Sequence, residues 1–223
     1  METFWFEILK FTVIHAVLSA GLSVLLGGAL ARFLWCYQGL RLEGVLTALG
    51  ALTFVMPVMI PALGLMLLFE GIGGENIYGI LGIVAVHVFL NAAYCMAQIR
   101  GAYGRFVSRP LQHQCDLLNF SKKERLLHLE FPALRSTLLN SFLVVFCLSL
   151  SSFSVVLLLG GGPASTTLSV ALYNALSVAF DLKSALFFLC LQLLLSLVFA
   201  SLLYHQKQQQ KEAKIQDELQ IFK

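Results

Sequence analysis

The sequence predicts an all-α fold, a polytopic membrane helix bundle of about five transmembrane helices with one long basic loop, and three observations predict it. Apolar residues make up 58% of the 223 and charged residues only 12%, whereas a soluble domain usually carries about 25% charged residues. Mean hydropathy is strongly positive. The charges gather in a few stretches, and the runs between them reach the roughly 20 apolar residues that cross a bilayer. A soluble helical core is excluded because several of these runs offer no polar face to water.

The first predicted span covers residues 11–35, the second 45–69, the third 77–99, the fourth 137–159 and the fifth 185–204. Ala29-Leu30-Ala31 looks like a signal cleavage site, but Glu2 and Glu7 precede the apolar run against a single Lys10. A secretory leader is basic and its apolar region shorter, so the first run reads as a retained span. Gly21, Gly27 and Gly28 within it offer small surfaces for close helix contact. Pro57 and Pro61 lie one turn apart in the second run and predict a kink there. The five cysteines show neither a CxxC nor a metal-ligand spacing, which predicts no disulfide framework and no metal site.

Orientation follows from Lys and Arg. With the 100–135 loop in the cytoplasm, that side holds Arg32, Arg41, seven basic loop residues and Lys207, Lys211, Lys214 and Lys223. Only Lys10 and Lys183 fall outside. Such a bias sets the N-terminus outside and the C-terminus inside. The tail, residues 205–223, reads as a solvated extension of the last helix, leaving 1–204 as a single membrane domain.

The 100–135 loop is patterned. Pro110 can open a helix, and Leu111, Cys115 and Leu118 recur at i, i+4 and i+7 as an apolar stripe. Asn119 tolerates a left-handed backbone and marks a turn. Ser121-Lys122-Lys123-Glu124 fits a capping box. It opens a second short helix that carries Leu126, Leu127 and Leu129 before Pro132 interrupts it. From these residues alone the hairpin could rest on anionic lipid or dock a protein at the cytoplasmic face.

Polar residues inside the spans form a second set. His87 and Asn91 share one face of the third span, either as an interhelical hydrogen bond or as part of a solute pathway. Ser149, Ser151, Ser152 and Ser154 crowd the end of the fourth. Helix packing accounts for such serines, while Ser151 and Ser152 are also pathway candidates. Gly160, Gly161, Gly162 and Pro163 read as a turn. No Ser/His, paired-Asp or HExxH arrangement lies within the spans, and no Walker-type glycine loop is present, so nothing points to an enzyme.

The loop resembles the cytoplasmic "EAA" loop of binding-protein-dependent ABC importer permeases, whose pattern is Glu-Ala-Ala, three residues, Gly, nine residues, then Ile-x-Leu-Pro. With Pro132 as the anchor, Phe131 takes the Leu position, Leu129 the Ile position and Asn119 the Gly position. His113, Gln114 and Cys115 take the opening triplet, so the Glu and the Gly of the pattern are absent. Tyr78-Gly79-Ile80-Leu81-Gly82-Ile83 with His87-Val88-Phe89-Leu90-Asn91 is similar to the third-span region of thiamine-type and ferric-iron-type permeases. The stretches Leu159-Gly160-Gly161-Gly162-Pro163, Thr166-Thr167 and Ala171-Leu172-Tyr173-Asn174-Ala175-Leu176 resemble the thiamine-type subgroup.

The resemblance implies a multi-pass subunit of the bacterial inner membrane that translocates a small solute, thiamine in the leading reading, without enzymatic activity or cofactor of its own. It implies three partners: a cytoplasmic ATPase received by the coupling loop, a periplasmic solute-binding protein, and a second permease half. The coupling loop would use Leu111, Cys115, Leu118, Asn119, Ser121, Leu129, Phe131 and Pro132. The turn at Gly160–Pro163 would lie at the periplasmic contact or an outer gate. Permeases of that subgroup carry two homologous halves, each with a further leading helix. The chain matches one half without that helix, which implies pairing with itself or a separate chain, or a truncated remnant. Transport of ferric iron or another small solute, and a non-transporting membrane scaffold, are the alternatives.

Overall fold

The computed structural model describes residues 2–37, 56–71, 77–107, 117–162 and 165–221, together with residues 114–115 and isolated positions between 44 and 53. Helix α1 is Glu2–Cys36, α2 Met59–Gly71 and α3 Ile80–Phe106. A one-turn helix α4, Lys122–Arg125, passes through a π-helical turn at Leu126–Glu130 into α5, Phe131–Leu150. Helices α6 (Ser154–Leu159), α7 (Leu168–Ser177) and α8 (Leu182–Ile221) complete the order. Among the described residues four stretches are long and apolar enough to cross a membrane: Trp5–Cys36, Ile80–Phe106, Lys122–Leu150 and Leu182–Gln206. The tail continues α8 as far as Ile221.

Helix α1 is the spine. It packs most extensively on α3 and then on α5. Its contacts with α3 advance together along both chains, from Ser19 against His87 to Gly27 against Cys95 and Trp35 against Tyr103, so the two helices run parallel. Gly27 is the closest approach: a Cβ there would lie 2.6 Å from both the Ala92 carbonyl oxygen and the Cys95 Cβ. The three glycines are therefore not equivalent, since Gly28 has only ordinary contact with Ile99 and Gly21 faces open space. Three apolar clusters surround the spine. One joins α1, α3 and α5 with Phe199 of α8, whose ring centroid lies 4.3 Å from that of Phe146. A second joins α2, α3, α6 and α7, and a third joins the start of α1 to α7 and α8 through Trp5, Leu168 and Phe188.

Three expectations are corrected. The second apolar run is not a kinked span, because the helix is absent at residues 56–58 and Pro57 separates the pieces. Pro61 causes no kink: it sits in the first turn of α2, where its missing N–H would have had no helical partner. The fourth run is not continuous either, since α5 stops at Leu150 and α6 begins at Ser154. The Ser151 hydroxyl donates to the Cys147 carbonyl at 3.0 Å, and serines that bond back to the chain compete with helix propagation. Finally, Pro132 does not interrupt the second loop helix. The Phe131 N–H reaches back five residues to the Leu126 carbonyl, and a widened turn ahead of the proline leaves room for its ring.

Helix α7 is an element that the run lengths do not reveal. Its first N–H group, on Leu168, donates to the Thr12 hydroxyl of α1 at 3.1 Å, a cap supplied from another helix. Asp181 caps α8 more locally. Its carboxylate accepts from the Lys183 and Ser184 amides and the Ser184 hydroxyl. The Ser184 bonds hold it below the usual carboxylate range.

The parallel α1–α3 contact yields a paired expectation. Gly27→Val should destabilise the protein by about 1–3 kcal/mol or more by overpacking, whereas Gly21→Ala should leave stability unchanged or slightly raised. Thermal unfolding of the detergent-solubilised variants checks both; equal transitions for Gly27→Val and the parent would remove the close contact from the account.

Candidate functional site

At the end of the bundle where α1 and α3 finish, the loop forms the turn that its residues predict. The Leu118 amide donates to the Gln114 carbonyl and the Phe120 amide to the Cys115 carbonyl, both at 3.0 Å. Asn119 closes this helical turn with φ 54°, the left-handed geometry that asparagine tolerates best among non-glycine residues. The capping box is complete: the Ser121 amide donates to the Glu124 carboxylate at 2.8 Å, and the Glu124 amide donates to the Ser121 hydroxyl at 3.3 Å.

The predicted stripe does not hold as one face. Cys115 is buried while Leu118 is 69% exposed, beside Leu117 at 84%. Leu111 and His113 lie outside the described residues. Leu129 is half-buried against the α1–α3–α5 core, and Phe131 and Pro132 are exposed. The loop thus presents an apolar tip of Leu117, Leu118, Phe120 and Leu127 beside the charged helix α4.

Directly behind this tip is a buried carboxylate that the motif reading passed over. Glu130 is 2% exposed. It accepts from Arg32 Nε of α1 at 2.7 Å and from the Tyr103 hydroxyl of α3 at 2.9 Å. Arg125 of α4 stands 3.7 Å away. A buried carboxylate stripped of such partners costs about 3–5 kcal/mol, so this cluster fixes where the loop meets the bundle. Its signal in the sequence was a single acid in Leu-His-Leu-Glu-Phe-Pro, together with Arg32 alone near the end of the first apolar run. Nothing local pairs residues 32, 103 and 130.

Midway along the bundle the structure brings the four pathway candidates together. His87, Asn91, Ser151 and Ser152 line one cavity of about 370 Å³, with Thr53, Met56 and Phe153 on its other walls. No Asp, Glu, Lys or Arg is among its described lining residues. The Asn91 amide donates to the His87 carbonyl at 2.8 Å, one turn back on the same helix. His87 Nδ1 lies 3.4 Å from the Ser19 hydroxyl, and its buried Nε2 has no hydrogen-bond partner among the described residues. His15, with its ring centroid 5.8 Å from that of His87, places Nε2 3.2 Å from the Ser149 carbonyl and Nδ1 3.1 Å from that of Phe11. A neutral imidazole has one N–H, so it donates to one of these carbonyls at a time. Gln192 of α8 donates to the neighbouring Leu150 carbonyl at 3.1 Å. The two carbonyls at the end of α5 are thereby faced by polar groups from α1 and α8, as a helix broken within a membrane requires.

At the opposite end, Gly160, Gly161 and Gly162 border a cavity of about 790 Å³ with Trp5, Asn174 and Asp181. Gly161 and Gly162 have φ of 69° and 143°, backbone that side chains rarely adopt. A Cβ on Gly161 would also meet Tyr78 at 2.9 Å. The Gly79 amide donates to the Leu159 carbonyl at 2.7 Å and ties the start of α3 to this turn. Pro163 lies outside the described residues. Among the described residues no three His, Cys, Asp or Glu side chains gather as metal ligands.

The sequence pattern of the family described as "Binding-protein-dependent transport system inner membrane component" matches residues 9–211. The thiamine transport system permease protein ThiP of Brucella abortus (strain 2308) is 31% identical over 217 residues, covering 91% of the chain and 39% of that protein. Its counterpart from Haemophilus influenzae (strain ATCC 51907 / DSM 11121 / KW20 / Rd) is 34% identical over 212 residues, 88% of the chain and 38% of that protein. The chain thus spans about two fifths of the length of these relatives. A chain in a solved structure, "Crystal structure of an amino acid ABC transporter with histidines", superposes with TM-score 0.66 over 93% of this chain and 94% of its own length at 16% identity, which is a likeness of fold. The apolar helices and the match over nearly the whole length converge: the chain belongs to the binding-protein-dependent transport system inner membrane component family, a family of membrane-embedded transporter components.

Proposed function

We propose that the chain forms one half of the membrane pathway of an importer that carries thiamine into the cytoplasm, driven by a separate ATPase and supplied by a periplasmic binding protein. The observation that carries the substrate is identity of 31–34% to two thiamine permeases over 88–91% of the chain. A second permease half, another copy or a separate chain, completes the pathway in this reading. The N-terminus lies outside and the C-terminus in the cytoplasm, as the basic residues favour. Uptake of ferric iron or another small solute is the alternative within the same family.

The loop supports an ATPase partner through its chemistry. Leu117 and Leu118 stand exposed at the tip of a turn held by Asn119 and Ser121, next to the basic residues Lys122 and Lys123. Apolar side chains presented on a stiff, charged rim suit a protein groove. The cavity at His87 supports a pathway role, since buried polar groups in membrane helices usually face the interior or a water-filled route. The glycine turn at 160–162 lies at the opposite end from the loop, where a periplasmic binding protein would dock.

Two outcomes follow. Leu118→Asp should lower the ATPase recovered with the purified protein by at least about tenfold, with unchanged amounts of the chain in the membrane; recovery at the parent level would reject the docking site. In cells or proteoliposomes fed radiolabelled thiamine, His87→Ala should reduce uptake about tenfold while ATPase recovery stays constant. Absence of thiamine uptake by the parent, with uptake of another solute in its place, would transfer the substrate assignment to that solute.

A further inference from the structure

Glu130 occupies a position that neither the exposed loop nor the central cavity explains. It is the last residue of the π turn Leu126–Glu130, between the loop helix α4 and the membrane helix α5. Its one carboxylate meets three other elements. Oε2 accepts from Arg32 Nε of α1 at 2.7 Å and from the Tyr103 hydroxyl of α3 at 2.9 Å, while Oε1 faces Arg125 of α4 at 3.7 Å. Arg32 and Tyr103 belong to the two helices in closest parallel contact. The turn itself sets this up. One residue added to a helical turn rotates all that follows by about 100°, which lets Lys122 and Lys123 stay in solvent while Glu130 and Leu134 face inward.

A carboxylate this buried resists losing its hydrogen-bonded partners, because removing one leaves its charge less compensated inside the protein. Displacement of α4 relative to α1 and α3 would require just such a loss. We propose that Glu130 is the positioning residue that pins the loop to α1 and α3, so that force applied at the Leu117–Leu118 tip turns these helices with the loop as one rigid body. This rests on the reading of the loop as the ATPase contact, and it adds the route by which movement enters the bundle.

The test reconstitutes the chain with its ATPase, its binding protein and the second permease half where one is required, then measures thiamine uptake and ATP hydrolysis in the same vesicles. Glu130→Gln should keep the ATPase bound yet lower uptake per ATP by at least about tenfold. Tyr103→Phe, which removes one bond without stranding a charge, should lower the ratio severalfold. The exchanged pair Arg32→Glu with Glu130→Arg should recover part of what Arg32→Glu alone loses. Uptake per ATP at the parent level in both Glu130→Gln and Tyr103→Phe overturns the pin. Should Glu130→Gln fail to accumulate, Tyr103→Phe and the exchanged pair decide.

A second measurement needs no ATPase and so separates failure of the pin from failure of the docking reading. Spin labels are placed on Cys36 and on a cysteine introduced by Leu117→Cys, with the other four cysteines replaced by serine. The distance distribution should be narrow in the parent and broad in Tyr103→Phe and Glu130→Gln. Equal widths would overturn the pin even if the ATPase docks as proposed. A narrow parent distribution that both variants broaden, in a chain with which no ATPase can be recovered, would leave the pin standing and remove the docking reading.

Discussion

The bundle depends on one close, parallel contact between α1 and α3, centred on Gly27. No other residue type fits there, because the α3 backbone at Ala92 and Met96 occupies the space of a side chain. The same face of α1 carries Thr12, His15, Ser19 and Ser23, all fully buried, with Ala16, Ala20 and Ala31 alongside. Small side chains let two helices approach, and in lipid, where no hydrophobic drive joins helices, that approach supplies the attraction. The polar members reach past the contact to other elements. Thr12 meets the first amide of α7, His15 the end of α5, and Ser19 the ring of His87.

Two departures from regular α-helix give the bundle its irregular interior, and each is accommodated differently. At residues 151–153 the carbonyls of Ser149 and Leu150 turn toward His15 and Gln192, so the break costs less than an open end in hydrocarbon would. The segment left between α5 and α6 then lines the cavity shared with His87 and Asn91. The π turn before Pro132 interrupts nothing; it keeps the helix continuous while changing the face it presents. One device opens a cavity and the other redirects a side chain.

At the loop end, charge and apolar surface divide the work. The tip residues Leu117 and Leu118 are bare, and the capping box at Ser121 and Glu124 fixes the start of α4 at the surface. Beneath them the buried carboxylate of Glu130 gathers Arg32, Tyr103 and Arg125. Buried ion clusters of this kind are weak sources of stability compared with apolar packing and serve better to hold one arrangement against others. Here the constraint sits at the joint between the loop and the helices α1 and α3.

Much of this was legible along the chain. Run length and charge distribution determined the membrane bundle. Asn119 and the Ser121–Glu124 spacing determined the turn and cap, because both act over a few residues and depend on local backbone chemistry. His87 and Asn91 were legible as a pair on one face for the same reason. The tertiary structure alone decided that Ser151 and Ser152 share their cavity, that Gly27 rather than Gly21 is the contact, and that Pro57 breaks a helix while Pro132 does not. It alone paired Glu130 with Arg32 and Tyr103, 98 and 27 residues away in the chain. Helical periodicity reports which face a residue lies on, but the identity of its partner depends on which helices pack together, and that is settled only when the whole bundle closes.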